Sequence, residues 1–285
     1  TPFNYPALLV LHKIAPALAA GNAVVLKPAR ATPLTALKLA QCFVDAGLPP
    51  EVLSVLTGPG STLGDVLVTD PRVRKVSFTG STATGTRISS IAGVKKLSLE
   101  LGASCPVIIL PDADIELAAS AVAAGGFINA GQVCISVQRV IVDRRVESDF
   151  LDALVPKVEA IAVGNPREAG TRLGSLISEE EATRVHSSIN EARHSGAKVL
   201  TGGDRQGAVV TPAVVAGVDP RSPLSRNELF GPAVAVTSAS DLDSAIALAN
   251  DNDYGLGAGI FTSDIAGSIQ AMRQIDAGNI HINWT

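Results

Sequence analysis

The sequence predicts an α/β fold built on parallel strands, and three observations predict it. Short β-branched runs alternate with stretches of helical period along the chain, the pattern of consecutive βαβ units. Strands hand over to helices through glycine and hydroxyl residues, as in "LTGPGSTLG" (Leu56 to Gly64) and "FTGSTATG" (Phe78 to Gly85). Hydrophobic residues make up 46% of the 285 and charged residues 18%, a composition that fits a dense interior with buried strands and excludes a disordered chain.

Taken in order, Ala23–Lys27 reads as the first strand. The segment "ATPLTALKLAQCFVDAG" reads as a helix, with Thr32 as N-cap, Pro33 at the first helical position and Gly47 just past the end. Cys42 falls inside that helix and is assigned to packing. Strand "VLSVLTG", helix "STLGDVLVTD", strand "KVSFTG", helix "STATGTRISSIAG" and strand "KKLSLEL" follow, ending near Glu100. A second series restarts with "CPVIIL", a helix from about Asp114 to Asn129 that is uncharged from Leu117 onward, and the strand "QRVIVD". The same alternation then runs from "ESDFLDALVPKVEAI" to a last strand, "NIHINW". The restart at Pro106 places a domain boundary near Gly102, giving domains 1–102 and 103–285.

Composition narrows the function classes. A formal charge of −4 with no Lys/Arg run excludes a nucleic-acid surface, which needs clustered phosphate-neutralising cations. Nothing from Leu117 to Gln138 carries a charge, but Gly125, Gly126, Asn129, Gly131 and Gln132 make that run too polar for lipid, so it reads as buried protein and no membrane is expected. The three cysteines, Cys42, Cys105 and Cys134, are widely spaced without a CxxC pair, and the four histidines lack metal-ligand spacing. Neither a disulfide framework nor a metal is expected, and a reducing, cytoplasmic setting fits. Cys105, directly before Pro106, is expected to be structural. Thr1 stands where a native chain has Met, and structured-looking sequence starts at once, so the chain is expected to be a piece of a longer one.

Small-molecule chemistry is then the default, and Cys134 in "GQVC" is its first candidate. Taken alone, it fits either a small apolar filler or a nucleophile. The two glycine-rich βα turns, with Gly60, Gly64 and Gly80 and the flanking Phe78, Thr79 and Ser81, could approach a dinucleotide at a helix N-terminus, although neither has GxGxxG spacing. Lys27, at the carboxyl end of the first strand, is either a cation in the ligand crevice or a solvated side chain. Glu100 ends an apolar strand, where partial burial would raise its pKa and make it a base near neutrality, or would suit a structural ion pair. A thiol, a base and a dinucleotide together form a coherent set for oxidising an aldehyde.

Six motifs in sequence order carry a resemblance that covers the whole chain. "PFNYP", "LKPARATPL", "FTGST", "LELGASCP", "GQVC" and "ELFGP" together resemble the aldehyde dehydrogenases of the NAD(P)-dependent superfamily, with Glu100 and Cys134 spaced as in that family. The resemblance implies a partial Rossmann-like cofactor domain followed by an α/β catalytic domain, and oxidation of an aldehyde to a carboxylic acid with NAD or NADP. It makes Cys134 the nucleophile, Glu100 the base for the deacylating water and Asn4 the oxyanion donor. Lys27, the turn residues above, Leu101, Glu228 and Phe230 fall on the cofactor side. It implies a homo-oligomer for the full-length parent.

Two positions depart from the family pattern. Arg30 replaces a glutamate that binds the adenosine ribose, which points towards use of NADP, and Ala103 replaces a second glycine in the base motif. The family's chains are also longer, with an amino-terminal part of the cofactor domain and a carboxyl-terminal segment that this chain lacks. Two other readings stand beside this one: a truncated, non-catalytic binding or structural protein, and an enzyme that passes the thioester to coenzyme A, which retained Glu100 disfavours.

Overall fold

A computed structural model describes residues 1–285, which divide into two compact units, Thr1–Gly102 and Ala103–Thr285. In the first, the elements run α1 (Leu8–Ala19), β1 (Val24–Leu26), α2 (Pro33–Asp45), β2 (Leu53–Val55), α3 (Gly60–Thr69), β3 (Lys75–Thr79), α4 (Thr82–Ile91) and β4 (Lys96–Glu100). The units β1-α2-β2 and β3-α4-β4 form as expected, but β2 and β3 do not pair, so the four strands do not join into one sheet. They make two separate parallel ladders, β1 with β2 and β3 with β4. Each ladder packs on its own apolar cluster. Val10 and Ile14 of α1 and Ala36 of α2 meet Leu26 and Leu53 under the first pair, and Val68 and Ile88 lie with Leu97 and Leu99 under the second.

Two local expectations fail in this unit. Thr32 occupies the N-cap position of α2, with Pro33 in the first turn, but its side chain makes no cap; the hydroxyl instead donates to the Phe3 carbonyl at 3.4 Å. Cys42 is exposed, not packed. Helix α2 fully buries only Ala36 and packs through Leu39, Ala40 and Phe43, and Cys42 turns away from that stripe.

The second unit contains β5 (Cys105–Ile109), α5 (Ile115–Phe127), β6 (Val137–Asp143), α6 (Glu147–Glu159), α7 (Glu179–His194), β7 (Lys198–Thr201), β8 (Arg205–Gln206), β9 (Val209–Val210), β10 (Ala213–Ala216), α8 (Pro223–Arg226), β11 (Ala233–Ala239), α9 (Leu242–Asn250), β12 (Gly257–Phe261), α10 (Ile265–Gln274) and β13 (Asn279–Ile282). Seven strands form one sheet in the order β13-β12-β5-β6-β11-β10-β7, parallel throughout except for antiparallel β7 at one edge. The short β8–β9 hairpin and helix α8 were not legible as separate elements in the sequence.

Every residue of β5, β6 and β12 is buried, as strands covered on both faces must be. Strand alternation sorts their side chains. Val107, Ile109, Val140 and Val142 face a core shared with α5 and α6. Ile108, Ile141 and Ile260 face the other way, with Ala245 of α9 and Ala271 of α10. Half of the uncharged run from Leu117 to Gln138 is buried, while Leu117, Ile128 and Ile135 are among its exposed residues. No helix is long and apolar enough to cross a membrane.

Arg139, in the middle of the sheet, is buried without a carboxylate in its hydrogen-bond set. Its guanidinium donates to the carbonyls of Ser104 (3.2 Å), Leu248 (2.9 Å) and Ala249 (2.7 Å), closing the carboxyl end of α9. Burial lowers its pKa to about 10.

The large, fully buried ring of Phe150 in α6 anchors the α5–α6 face. Replacing it by Ala should cost the second unit about 3–5 kcal/mol, the range for Phe→Ala in cores that cannot collapse. Urea denaturation followed by circular dichroism measures this, and a change within the error of the midpoint would contradict the packing described.

Candidate active site

Cys134 sits on a turn whose geometry is dictated by the residues before it. Helix α5 ends at Phe127, and the chain then reverses through three successive left-handed residues, Asn129 (φ 51°), Ala130 (φ 56°) and Gly131 (φ 69°). Non-glycine residues in that region cost roughly 1–3 kcal/mol each and persist only where the surroundings over-determine them. Three contacts do so here. A Cβ on Gly131 would lie 2.1 Å from the Gly231 carbonyl oxygen, so only glycine permits that approach. Gln132 is buried; its Oε1 accepts from Ile177 N at 2.9 Å and its Nε2 donates to the Asn129 carbonyl at 3.1 Å. The Ser136 hydroxyl reaches the carbonyls of Gly125 (3.3 Å) and Gly126 (3.2 Å).

The result holds Cys134 half-buried between a helix end and the first residue of β6. Its carbonyl accepts from the Cys105 thiol at 3.5 Å. Cys105 is buried, and burial pushes its thiol up to about 12, so it remains a protonated donor near neutrality. It is structural, in line with its place before Pro106.

The loop from Asn227 to Gly231 carries Glu228 and Phe230, and it is also constrained. Phe230 has φ 50°. Oε1 of half-buried Glu228 accepts from Ala103 N at 3.1 Å, and the Glu228 amide donates to the Tyr254 hydroxyl at 3.3 Å. Leu229 N donates to Gln138 Oε1 at 2.6 Å, and the Leu229 carbonyl accepts from Arg184 at 2.5 Å. Burial raises the pKa of Glu228, with the Ala103 amide and the Arg184 charge opposing that rise.

In the first unit, Lys27 is half-buried and not a solvated side chain. Its Nζ donates to the carbonyls of Pro28 (2.7 Å) and Gly58 (3.2 Å), and its Cε lies 3.9 Å from where a Cβ on Gly60 would stand. The amino end of α3 begins at Gly60 and has no side-chain cap, so its main-chain N–H groups stand beside the lysine. Ser81 caps α4 by accepting from Thr84 N. The preceding Thr79 is buried, and its hydroxyl has no hydrogen-bond partner.

Gly80 is required for packing, since a Cβ there would meet the Phe78 ring at 2.5 Å. Leu101 packs on Gly85 in the same way, at 2.3 Å from a would-be Cβ. Gly64 has open space around it. Arg30 is exposed, and half-buried Asn4 lies in the bend before α1.

Glu100 is exposed, against the expectation of a partly buried strand end. Strand β4 pairs only with β3 and alternates exposed and half-buried positions, which puts Glu100 on the open side with Lys96 and Ser98.

Sequence reasoning missed the residues that support these groups: Gln138, Arg139, Arg184 and Tyr254. The signal for the first two was present. A glutamine and an arginine interrupt "VQRVIVD", a strand otherwise too apolar to face water, and buried polar groups must find partners.

These features define a two-unit α/β protein with a constrained, cysteine-bearing turn at the start of a central strand. The chain belongs to the aldehyde dehydrogenase family, whose model matches residues 1–285. It is 46% identical over 283 residues to the 3-sulfolactaldehyde dehydrogenase of Priestia aryabhattai, covering 99% of this chain and 59% of that protein. The chain therefore spans about three-fifths of the length of such relatives. Among solved structures, the glyceraldehyde-3-phosphate dehydrogenase of Methanocaldococcus jannaschii complexed with NADP superposes with a TM-score of 0.97 at 39% identity, covering all of this chain and 63% of that one. The betaine aldehyde dehydrogenase of Staphylococcus aureus in complex with NAD+ gives 0.95 at 36% identity, covering 99% and 58%.

The raised pKa of Glu228 has a stability consequence. The folded state holds that proton more tightly than the unfolded chain, so stability falls as pH rises from the ordinary glutamate range through the raised value. Glu228→Gln keeps the acceptor for Ala103 N and removes the charge. Its stability relative to the parent should therefore increase between pH 4 and pH 8 in urea titrations, and a pH-independent difference would contradict the burial of this carboxyl group.

Proposed function

We propose that this chain carries the chemistry of an aldehyde dehydrogenase that oxidises an aldehyde to a carboxylic acid with NAD or NADP. The observation that carries the reading is the turn around Cys134, where strained left-handed backbone and a glycine-only contact hold one thiol at the head of a central strand. Such strain is found where geometry serves chemistry.

In this reading the first unit is the larger part of a cofactor-binding domain and the second is the catalytic domain. Cys134 attacks the aldehyde carbon through its thiolate and forms a thiohemiacetal. The Asn4 amide and the Cys134 main-chain N–H stabilise the oxyanion, each donor being worth about 2.7–4 kcal/mol in related sites. A nicotinamide held in the site would supply the hydride acceptor, and loss of hydride and the hydroxyl proton from the adduct would leave a thioester on Cys134. Glu100 then takes a proton from the water that hydrolyses the thioester, regenerating the thiol and releasing the acid.

The residues of the first unit fit a dinucleotide. Lys27 stands beside the uncapped amino end of α3, an arrangement suited to ribose hydroxyls and phosphate oxygens. The buried, partnerless hydroxyl of Thr79 offers a further donor at the next strand end. Glu228 and Phe230 are assigned to the nicotinamide ribose and ring, with Gly60, Gly64, Phe78, Gly80, Ser81 and Leu101 forming the rest of the cofactor surface. The relatives in complex with NADP and with NAD+ support this assignment.

Stopped-flow measurement of reduced cofactor tests the roles. Cys134→Ala should abolish turnover, while Ser substitutions at Cys42 and Cys105 should preserve it. Glu100→Gln should give a burst of reduced cofactor followed by a slow steady state, because only deacylation loses its base. Turnover by Cys134→Ala, or loss of the burst in Glu100→Gln, would overturn the assignment.

Exposed Arg30 bears on cofactor choice. A guanidinium near the adenosine ribose would bind a 2′-phosphate in forked geometry and remove the repulsion that a carboxylate presents there. The protein should therefore accept NADP. Arg30→Glu should shift the ratio of kcat/KM values towards NAD, and an unchanged ratio would show that Arg30 does not meet the ribose.

A further inference from the structure

Among the side chains that bond the loop carrying Glu228 and Phe230, one that belongs to none of the six motifs holds more of its main chain than Arg184 or Tyr254 does. Gln138 stands second in β6, four positions beyond Cys134, and only 5% of it is exposed. Its Nε2 donates to the Asn227 carbonyl at 2.6 Å and to the Leu224 carbonyl at 3.3 Å, while its Oε1 accepts from Leu229 N at 2.6 Å. One buried amide thus satisfies three main-chain groups, two of which flank Glu228 directly. No other residue type does this unaided. A carboxylate has no donor for the carbonyls, an aliphatic side chain offers neither function, and asparagine is one methylene shorter.

The consequence for the loop follows from its backbone. Phe230 holds φ 50°, and a non-glycine residue stays there only under external restraint. Arg184 and Tyr254 each hold a single main-chain group of the loop, whereas Gln138 ties it to the same strand that begins just after the Cys134 turn. Strand β6 therefore sets both the thiol-bearing turn and the loop from one rigid element.

We propose that Gln138 is a positioning residue that keeps Glu228 and Phe230 in the conformation that binds the nicotinamide ribose and ring. The proposal rests on the assignment of those two residues to the cofactor.

The test measures cofactor binding without turnover, through the fluorescence of NADH and NADPH titrated onto the protein, with hydrogen exchange of the 227–231 amides as a second readout. Gln138→Leu removes the side-chain partner of three main-chain groups and should raise the Kd about tenfold or more, with faster exchange in the loop. Gln138→Glu supplies a signature that general destabilisation would not. Once protonated, its carboxyl group regains the acceptor for Leu229 N and one of the two donors of the original amide, so the ratio of its Kd to that of the parent should fall as pH is lowered from 8 to 5.5. The same ratio for Gln138→Leu should stay constant.

A Kd unchanged in Gln138→Leu, or a pH-independent ratio for Gln138→Glu, would overturn the proposal. Glu228→Ala separates the two levels. If it raises the Kd while Gln138→Leu does not, the positioning role alone falls. If neither variant changes the Kd, the assignment of the loop to the cofactor falls with it.

Discussion

The second unit depends on one approach between two backbones. Gly131 comes so close to the Gly231 carbonyl that any Cβ would overlap it, and this contact joins the segment leading to Cys134 with the segment following Glu228 and Phe230. Residues with positive φ adjoin this contact on both sides, Asn129 to Gly131 on one and Phe230 on the other. Neither turn is stable by local propensity: Ala130 and Phe230 carry side chains that disfavour the conformation they hold, and only Asn129 tolerates it well. The strain is offset by the sheet, whose strands β6 and β11 lie side by side and are buried along nearly their whole length.

The polar groups inside this unit follow from the same constraint. A chain that leaves regular structure in a dry interior must satisfy its amides and carbonyls elsewhere. Gln132, Gln138, Arg139 and Arg184 do so with side chains, bonding the main chain at Asn129, Ile177, Asn227, Leu229, Leu248 and Ala249. Arg139 is the costliest of them, because burial works against its charge, but three carbonyls around it replace the water it lost. The first unit solves a simpler problem with shorter strands. Its two ladders keep separate cores, and its helix starts at Gly60 and Ser81 stand at strand ends where a phosphate could meet free N–H groups.

Much of this was legible in the sequence. Hydrophobic period and glycine punctuation placed most helices and strands, because those signals report burial directly. What was not legible depended on contacts between distant residues. Nothing local shows that Gly85 yields space to Leu101, that Thr32 bonds Phe3 in place of its own helix, or that Cys42 lies on the open side of α2. Glu100 was misjudged because an apolar strand suggested a partly buried end, whereas β4 has a partner on one edge only and alternates exposed and half-buried positions. The supporting glutamine and arginine of β6 were visible as polar residues in an apolar strand, but their partners lie about 90 to 110 positions away.

The central claim is that Cys134, and no other group, forms the covalent bond with the aldehyde. Peptide mass spectrometry of Glu100→Gln, quenched in acid seconds after mixing with a simple aldehyde and NAD(P)+, tests it most directly, since slow deacylation lets the thioester accumulate. The account predicts the added mass of the acyl group on the peptide containing Cys134, and its absence without cofactor. An acyl group on Cys42, Cys105 or any other residue, or steady oxidation of aldehyde with Cys134 never labelled, would contradict it.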